Sequence, residues 1–317
     1  GVRMTTYSYG ECLKRSFRVN WRIKDVLGTA GFDLGRPWLP ASLSGAGGIT
    51  CLDADEKRRL THLEMGAYAH LFQFVEAFIT PEMLGLAQDA RFLNPEAFEA
   101  LTTFASEEVK HMHLFREVRR MVDEAVGFPL ELLDGENEAA SIVLGRHRGA
   151  VILLTAAIEW FTQHHYLTSM KDAGELDPLT REIFRHHWME EAQHAQLDHL
   201  EAVRLFGEMP PAERDEAIDD LIWLLVAVDG LLQRQAGHDL ANLGKYLGRT
   251  FTEAEGREIL GELLKAKRHC FIESGCAHPN FQELFQAVAT PDQQASVGQA
   301  VGLLLQGNPV PLGHGVT

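Results

Sequence analysis

Apolar positions recur with a helical period of about 3.6 residues over most of this chain. Between residues 53 and 207 the pattern predicts four long helices, separated by short segments that contain Pro, Gly or a capping Asn or Asp. The predicted ranges are 53–90, 95–127, 139–172 and 178–207. No alternating pattern of useful length indicates a strand, so the predicted fold class is all-α.

The segments on either side of these four helices have different characters. Residues 1–52 contain Gly and Pro too often for a long element, which predicts an irregular N-terminal arm lying over the main body. Residues 208–317 predict additional C-terminal helices packed on the bundle, at 212–236, 253–274, 280–289 and 292–306. We therefore predict an arm, a four-helix bundle and C-terminal helices, all within one folded unit.

The predicted bundle contains the same acidic motif twice. Each copy is a single glutamate followed, after an identical interval, by a Glu-x-x-His pair: Glu76, Glu108 and His111, then Glu159, Glu191 and His194. In antiparallel hairpins both glutamates of a copy lie equally far from the turn, so four carboxylates would meet at one level of the bundle. Buried carboxylates need cations, and this residue set is one that bundles use to hold two metal ions. The spacing predicts a two-metal site.

A single Glu-x-x-His sequence is more often a solvated helix face than a pair of ligands. Its repetition at a fixed interval, among apolar or small neighbours, favours the metal site. Glu107 and Glu190 stand four residues before the same histidines and could also face inward. We interpret these two as outer or surface acids.

His187 breaks the symmetry between the two copies. It lies one turn before Glu191, on the same stripe as His194, whereas the equivalent position on the second helix is Phe104. The register favours His187 as an additional ligand to one metal. The alternative is a core histidine that orients His194.

Composition narrows the function further. The formal net charge is −16, from 29 Lys and Arg against 45 Asp and Glu. So acidic a surface repels nucleic acid and anionic lipid, and we expect neither nucleic acid nor membrane as a partner. Four scattered cysteines favour a reducing compartment, and the longest apolar run is too short to span a bilayer. The expected location is the cytoplasm, and association into a homodimer is left open.

The repeated motif resembles that of the ferritin-like di-iron carboxylate proteins over about residues 53–207. With His187 added, it is similar in particular to the p-aminobenzoate N-oxygenase family. This resemblance implies two Fe ions, with an Mn/Fe pair as the alternative, and seven ligands: Glu76, Glu108, His111, Glu159, His187, Glu191 and His194. It also implies a non-haem oxygenase that uses O₂ to oxidise an amine nitrogen, with an arylamine-type small molecule as the favoured substrate.

Two further expectations concern the reaction. Thr162 and Gln163, one turn beyond Glu159, are candidates for the O₂ side of the site, and a packing role is equally compatible with their positions. No flavin, nicotinamide or iron–sulfur motif is present in the sequence. An external electron donor, such as a ferredoxin or a reductase, is therefore expected.

Two other functions compete with the N-oxygenase. A di-iron hydroxylase, desaturase or lipid-like substrate oxidase acting on carbon needs only six ligands, without His187. An iron-storage protein would have little outside the bundle, and a radical-generating protein would need a tyrosine beside the metals, where Phe104 and Phe115 stand instead. Tyr166, two turns past Glu159, is a weak candidate for such a tyrosine.

Overall fold

The computed structural model describes residues 6–313, and within that range it contains helices and turns without a strand. The all-α prediction is confirmed. The first five residues of the predicted arm and the last four residues of the chain lie outside the described part.

The N-terminal arm is partly helical. It contains α1 (Tyr9–Val19), α2 (Ile23–Leu27) and α3 (Ala41–Ser44). The Ser8 side chain caps α1 by accepting a hydrogen bond from the backbone N–H of Glu11. The prediction of an irregular segment was therefore wrong for the first half of the arm, because the dense glycines and prolines begin only at Gly28.

Five helices follow between residues 53 and 207. They are α4 (Ala54–Ala90), α5 (Pro95–Val126), α6 (Glu136–Leu144), α7 (Arg148–His165) and α8 (Pro178–Gly207). Asp53 and Glu56 form a capping box at the start of α4. Asn94 and Asp177 cap α5 and α8, as the sequence predicts. Helices α4, α5, α7 and α8 are the long helices of the bundle.

The predicted third helix is divided into α6 and α7. The N–H of Gly145 bonds the carbonyls of Ser141 and Ile142, which ends α6. The ring of His147 then accepts from the N–H of Gly149 and caps α7. Beyond His165 the chain continues as one π-helical turn, Tyr166–Met170.

The C-terminal region adds helices against the bundle. They are α9 (Pro211–Leu247), α10 (Glu253–Arg268), α11 (Ser274–Cys276), α12 (Pro279–Val288) and α13 (Pro291–Leu305), with a π-helical turn, His269–Glu273, between α10 and α11. Helix α9 is longer than predicted because its apolar period continues through Leu240 and Leu243 until Gly248, whose φ of 61° ends the helix. Among residues 6–313, no helix combines the length and apolar character needed to cross a bilayer.

One layer of phenylalanines fixes the register of the bundle. Phe72 of α4 lies 5.2 Å from the ring of Phe115 on α5, 5.7 Å from Phe161 on α7 and 5.9 Å from Phe184 on α8. All four side chains are fully buried. Glu76 lies one turn beyond Phe72 on α4, so this apolar layer sets the height of the acidic layer beside it.

Candidate metal centre

The seven predicted ligands all lie in the bundle interior. Helix α4 provides Glu76, α5 provides Glu108 and His111, α7 provides Glu159, and α8 provides His187, Glu191 and His194. None of these residues is more than 3 % exposed. A protein does not bury this many acidic side chains without a charge to balance them.

Six of the seven form two overlapping groups. In the first, single ligand atoms of Glu76, His111, His187 and Glu191 lie within 4.8 Å of one another, and in the second those of Glu108, His111, Glu191 and His194 do. The Nε2 atom of His187 and the Nδ1 atom of His111 lie 3.0 Å and 2.9 Å from Glu191 Oε1. Each group is compact enough for its atoms to surround one ion.

Glu159 lines the same pocket but belongs to neither group. Both of its carboxylate oxygens are buried without a hydrogen-bond partner among the described residues. Thr162 also lines the pocket, where its hydroxyl donates to the carbonyl of Glu159 at 2.6 Å. Gln163 instead donates to the carbonyl of Trp188, which is a packing contact.

The unsatisfied atoms test whether metal ions fit this cluster. Buried atoms without a hydrogen-bond partner include both carboxylate oxygens of Glu108, one oxygen each of Glu76 and Glu191, and the Nδ1 atoms of His111 and His194. Unpaired buried polar atoms are rare in native proteins. Here they converge on one point and are carboxylate oxygens and imidazole nitrogens, the donors that iron and manganese accept. The residues present fit two metal ions.

The acids preceding each motif lie behind the histidines of the opposite helix. Glu190 Oε1 of α8 is 3.0 Å from His111 Nε2 on α5, and Glu107 Oε1 of α5 is 3.7 Å from His194 Nε2 on α8. The far nitrogen of each ring faces a carboxylate, so Nδ1 points into the cluster. Such carboxylate contacts orient ligating histidines and increase their basicity.

The comparisons with known proteins agree with this geometry. Residues 32–228, more than half of the chain, match the family p-aminobenzoate N-oxygenase AurF. The chain belongs to this family. Its membership supports an oxidoreductase function, and no curated protein sequence shows significant similarity to the chain.

Solved structures of R2-like ligand-binding oxidases resemble the chain more distantly. A valine-to-leucine variant with an aerobically reconstituted Mn/Fe cofactor has 15 % identity and a TM-score of 0.42, covering 96 % of this chain and 94 % of that chain. A glycine-to-leucine variant with a non-activated Mn/Mn cofactor has 16 % identity and a TM-score of 0.40, covering 83 % and 92 %. Scores this low support no assignment beyond the family match.

In this member of the N-oxygenase family, the acids and histidines of the cluster shift one another's pKa values. Burial disfavours ionisation of Glu76, and the neighbouring Glu108 adds to this, so the pKa of Glu76 is raised well above its usual value. Burial also opposes a charged His111, but the carboxylates of Glu108, Glu190 and Glu191 outweigh it and raise the pKa of His111. Binding of a metal ion at these residues would therefore release protons.

The N-terminal arm contacts the outer side of the centre, where it packs on Glu107, Lys110 and His111. Ser16 of α1 donates to Glu107 Oε1 at 2.9 Å. The indole of Trp21 stacks on His111, with ring centroids 5.8 Å apart. Lys110 connects the two regions, because its Nζ atom donates to the carbonyl of Trp21 and to Glu190 Oε2, both at 2.8 Å.

Of the two alternatives for Glu107 and Glu190, the structure favours the outer position behind the histidines over the surface, since both residues are buried. The sequence signal is the doubled acid in both motifs, which read Glu-Glu-x-x-His. Tyr68 is a residue that the motifs do not predict: its hydroxyl hydrogen-bonds His165 in a buried aromatic cluster that includes Phe72. The only sequence signal for Tyr68 was its place one turn before Phe72 on the inner face of α4.

Proposed function

We propose that this chain is an O₂-dependent di-metal oxygenase that inserts oxygen at the nitrogen of an amine. The observation that carries the proposal is the buried set of glutamates and histidines whose inward-facing atoms lie close to one another but make no hydrogen bond. Family membership favours an amine over a carbon substrate.

The proposed ligands are seven: the six residues of the two motifs, together with His187. Six of them form the two groups described above, and Glu159 lines the same pocket with neither of its carboxylate oxygens in a hydrogen bond. The favoured metals are two Fe ions, with an Mn/Fe pair as the alternative. When bound, such ions supply the electrons with which O₂ is activated.

The chain's own side chains bind, orient and exclude water. Glu107 and Glu190 hold the histidine rings, as described above. Phe72, Val75, Ile79 and Ile158 form the apolar side of the pocket, next to Glu76 and Glu159. This wall keeps water from the reacting atoms and strengthens the electrostatic interactions within the pocket.

The proposed first oxidation is RNH₂ + O₂ + 2e⁻ + 2H⁺ → RNHOH + H₂O. One oxygen atom enters the new N–O bond, and the other leaves as water. The two electrons come from outside the chain, so a ferredoxin or a reductase is the proposed donor. An arylamine-type substrate is favoured.

The test combines metal analysis with product analysis. The purified protein, loaded with Fe(II), should hold about two ions per chain and convert aniline-type amines to hydroxylamines that carry ¹⁸O from ¹⁸O₂. Glu191→Ala should lose metal and at least about a hundredfold of activity, because Glu191 belongs to both groups. Glu182→Ala, on the exposed part of α8, is the matched control.

Two results would contradict the proposal. Full metal occupancy in the Glu191→Ala variant would remove the ligand assignment. Products oxygenated only at carbon would replace the amine with a carbon substrate and favour the di-iron hydroxylase alternative.

A further inference from the structure

The outer face of the N-terminal arm is basic, although the chain as a whole is acidic. Residues 12–24 contain no acidic residue and five of the 29 Lys and Arg residues, which are Lys14, Arg15, Arg18, Arg22 and Lys24. Four of the five are exposed, and Arg15 is half-buried. We call these five residues the arm patch. On a chain with a formal net charge of −16, such a patch attracts anionic partners that the rest of the surface repels.

The positive charge of the arm patch is available to a partner. Arg18 and Lys24 are exposed, and neither forms an ion pair with another residue in the described part of the chain. Lys14 and Arg22 each pair with an acid three residues away, but their side chains remain 74 % and 69 % exposed. Surface pairs of this kind are weak, so they do not prevent an acidic partner from binding.

Apolar side chains are exposed beside the arm patch. Phe17 of α1 is 64 % exposed, and Val109 of α5 is 40 % exposed. Phe17 follows Ser16, whose hydroxyl donates to Glu107, and Val109 comes two residues after Glu107. Both exposed side chains therefore lie near the junction of α1 and α5. Exposed apolar groups within a charged rim are typical of a surface that a protein partner covers.

The arm patch lies over the metal centre. Trp21, from the same segment, is 6 % exposed, and its indole stacks on the ring of His111 with the two planes 10° apart. A second connection consists of hydrogen bonds. Lys110 Nζ donates to the carbonyl of Trp21 and to Glu190 Oε2, and Glu190 Oε1 is 3.0 Å from His111 Nε2. A protein bound to the arm patch would thus be one indole ring away from a proposed metal ligand.

The proposed reaction takes two electrons from outside the chain, and the centre that receives them is buried. None of the seven proposed ligands is more than 3 % exposed, so an electron carrier has to bind at the surface near them. A positive surface favours a carrier with an acidic face, because opposite charges accelerate the encounter and orient the partner. Electron-transfer encounters use small interfaces, and a patch of five basic residues suits such an encounter.

We propose that the arm patch is the docking surface for an acidic one-electron carrier protein of the ferredoxin class. Two reduced carriers bind in turn, and each passes one electron to the metal-loaded centre and leaves oxidised. Together they supply the two electrons of the proposed oxidation. Trp21 and Lys110 lie between the bound carrier and His111. The inference rests on the proposed function, because that reaction creates the need for an external donor.

The experiment measures binding and reduction in the absence of any amine. A plant-type ferredoxin with an acidic surface is titrated into the metal-loaded protein by calorimetry, and its reduced form is mixed with the oxidised protein in a stopped-flow instrument. At low salt, we expect Arg18→Glu/Lys24→Glu to weaken binding and to slow reduction at least about tenfold. At about 500 mM NaCl, screening should remove most of this difference.

The matched control is Arg234→Glu/Lys265→Glu, which makes the same change in charge at two exposed positions on α9 and α10. It should change binding and reduction by less than about twofold. Reduction by methyl viologen at high salt should be equal in the parent and in both variants, which verifies that the centre is intact. If the charge reversal in the arm prevents folding, Arg18→Gln/Lys24→Gln makes the same test with a smaller expected loss.

The outcomes separate the two proposals. Equal ferredoxin binding in the arm variant and the control overturns the docking surface. Tighter binding of a short duplex DNA than of ferredoxin, or a parent dimer that the arm variant makes monomeric, assigns the arm patch to another occupant and also overturns it. A loss of ferredoxin binding confined to the arm variant supports the docking surface, even where product analysis rejects N-oxygenation.

Discussion

Two groups of acidic side chains are buried in this molecule, and their charges are balanced in different ways. Beside α10, Lys267 Nζ lies 2.7 Å from Glu64 Oε2 and 2.6 Å from Asp239 Oδ2, and Gln235 donates a hydrogen bond to Asp239. In the bundle, four glutamates and three histidines converge with no Lys or Arg among them. The first group carries its own cation, and the second has the geometry to accept cations from solution.

The comparison separates a structural cluster from a functional one on the same helix. Glu64 and Glu76 both belong to α4 and are both buried, and at 1.5 Å per residue they are about 18 Å apart along its axis. Burial alone therefore does not identify a metal ligand. The neighbouring groups distinguish the two residues, because Glu64 faces an ammonium group, whereas Glu76 faces other acids and imidazoles.

A third acid, Glu82, differs from both groups. The residue is half-buried on α4 beyond Glu76, but its Oε1 atom is buried and unpaired, and its Oε2 atom is 2.8 Å from the hydroxyl of Thr155. Burial is the main cause that raises the pKa of Glu82 to about 8. The charge of Glu64 is thus balanced by a lysine, the charge of Glu76 can be balanced by a metal ion, and Glu82 is neutralised by a proton.

Removal of the internal cation should have the largest effect on stability. Lys267→Met leaves Glu64 and Asp239 buried without their partner, so we expect the free energy of unfolding to fall by about 3–5 kcal/mol. Urea denaturation at neutral pH measures this loss. The adjacent exposed Lys265→Met should change stability by less than about 0.5 kcal/mol.

A double substitution sharpens that test. Adding Asp239→Asn to Lys267→Met removes one of the two uncompensated carboxylates and should recover part of the lost stability. A loss below about 1 kcal/mol in the single variant, compared with typical buried pairs, would show that Lys267 does not balance the two acids.

Glu82→Gln should produce a pH-dependent gain in stability. The pKa of Glu82 is higher in the folded chain, about 8, than its ordinary value of 4.5. The stability that its proton provides is therefore complete below about pH 4.5 and is lost as the pH rises to about 8. Glutamine does not titrate, so the variant should gain about 3 kcal/mol relative to the parent across that range.

Unfolding free energies at pH 5, 6, 7 and 8 test the Glu82 prediction. Glu99→Gln, at an exposed position on α5, is the control and should follow the parent protein at every pH. A constant difference between Glu82→Gln and the parent would mean that Glu82 is already ionised in the folded chain.

Glu190→Gln should have the smallest effect of the three, and we expect it to appear in metal affinity. The carboxylate behind His111 becomes a neutral amide that bonds the ring less strongly, so we expect metal binding about 10- to 100-fold weaker. Competition with a metal chelator measures the change. Glu182→Gln, in a surface ion pair on the same helix, should leave affinity unaltered; equal affinities in both variants would exclude an orienting role for Glu190.

The helical bundle could be predicted from the sequence because it follows from periodicity, and the same periodicity placed the candidate ligands in one buried layer. An identical interval between carboxylates translates directly into equal height on antiparallel helices, and this distinguished Glu76 from Glu64. The contacts of the arm, such as that of Trp21 with His111, join residues far apart in sequence. They produce no periodic pattern in the sequence, so they could not be predicted from it.

The crossed contacts behind the histidines have a mechanical consequence. Glu190 of α8 braces His111 of α5, while Glu107 of α5 faces His194 of α8. If either helix shifted by one residue along its axis, both carboxylate–histidine contacts would be lost together. Neither histidine ring would then be held in its orientation toward the cluster. The two ions should accordingly be gained and lost as a pair, with half-loaded protein scarce throughout a titration.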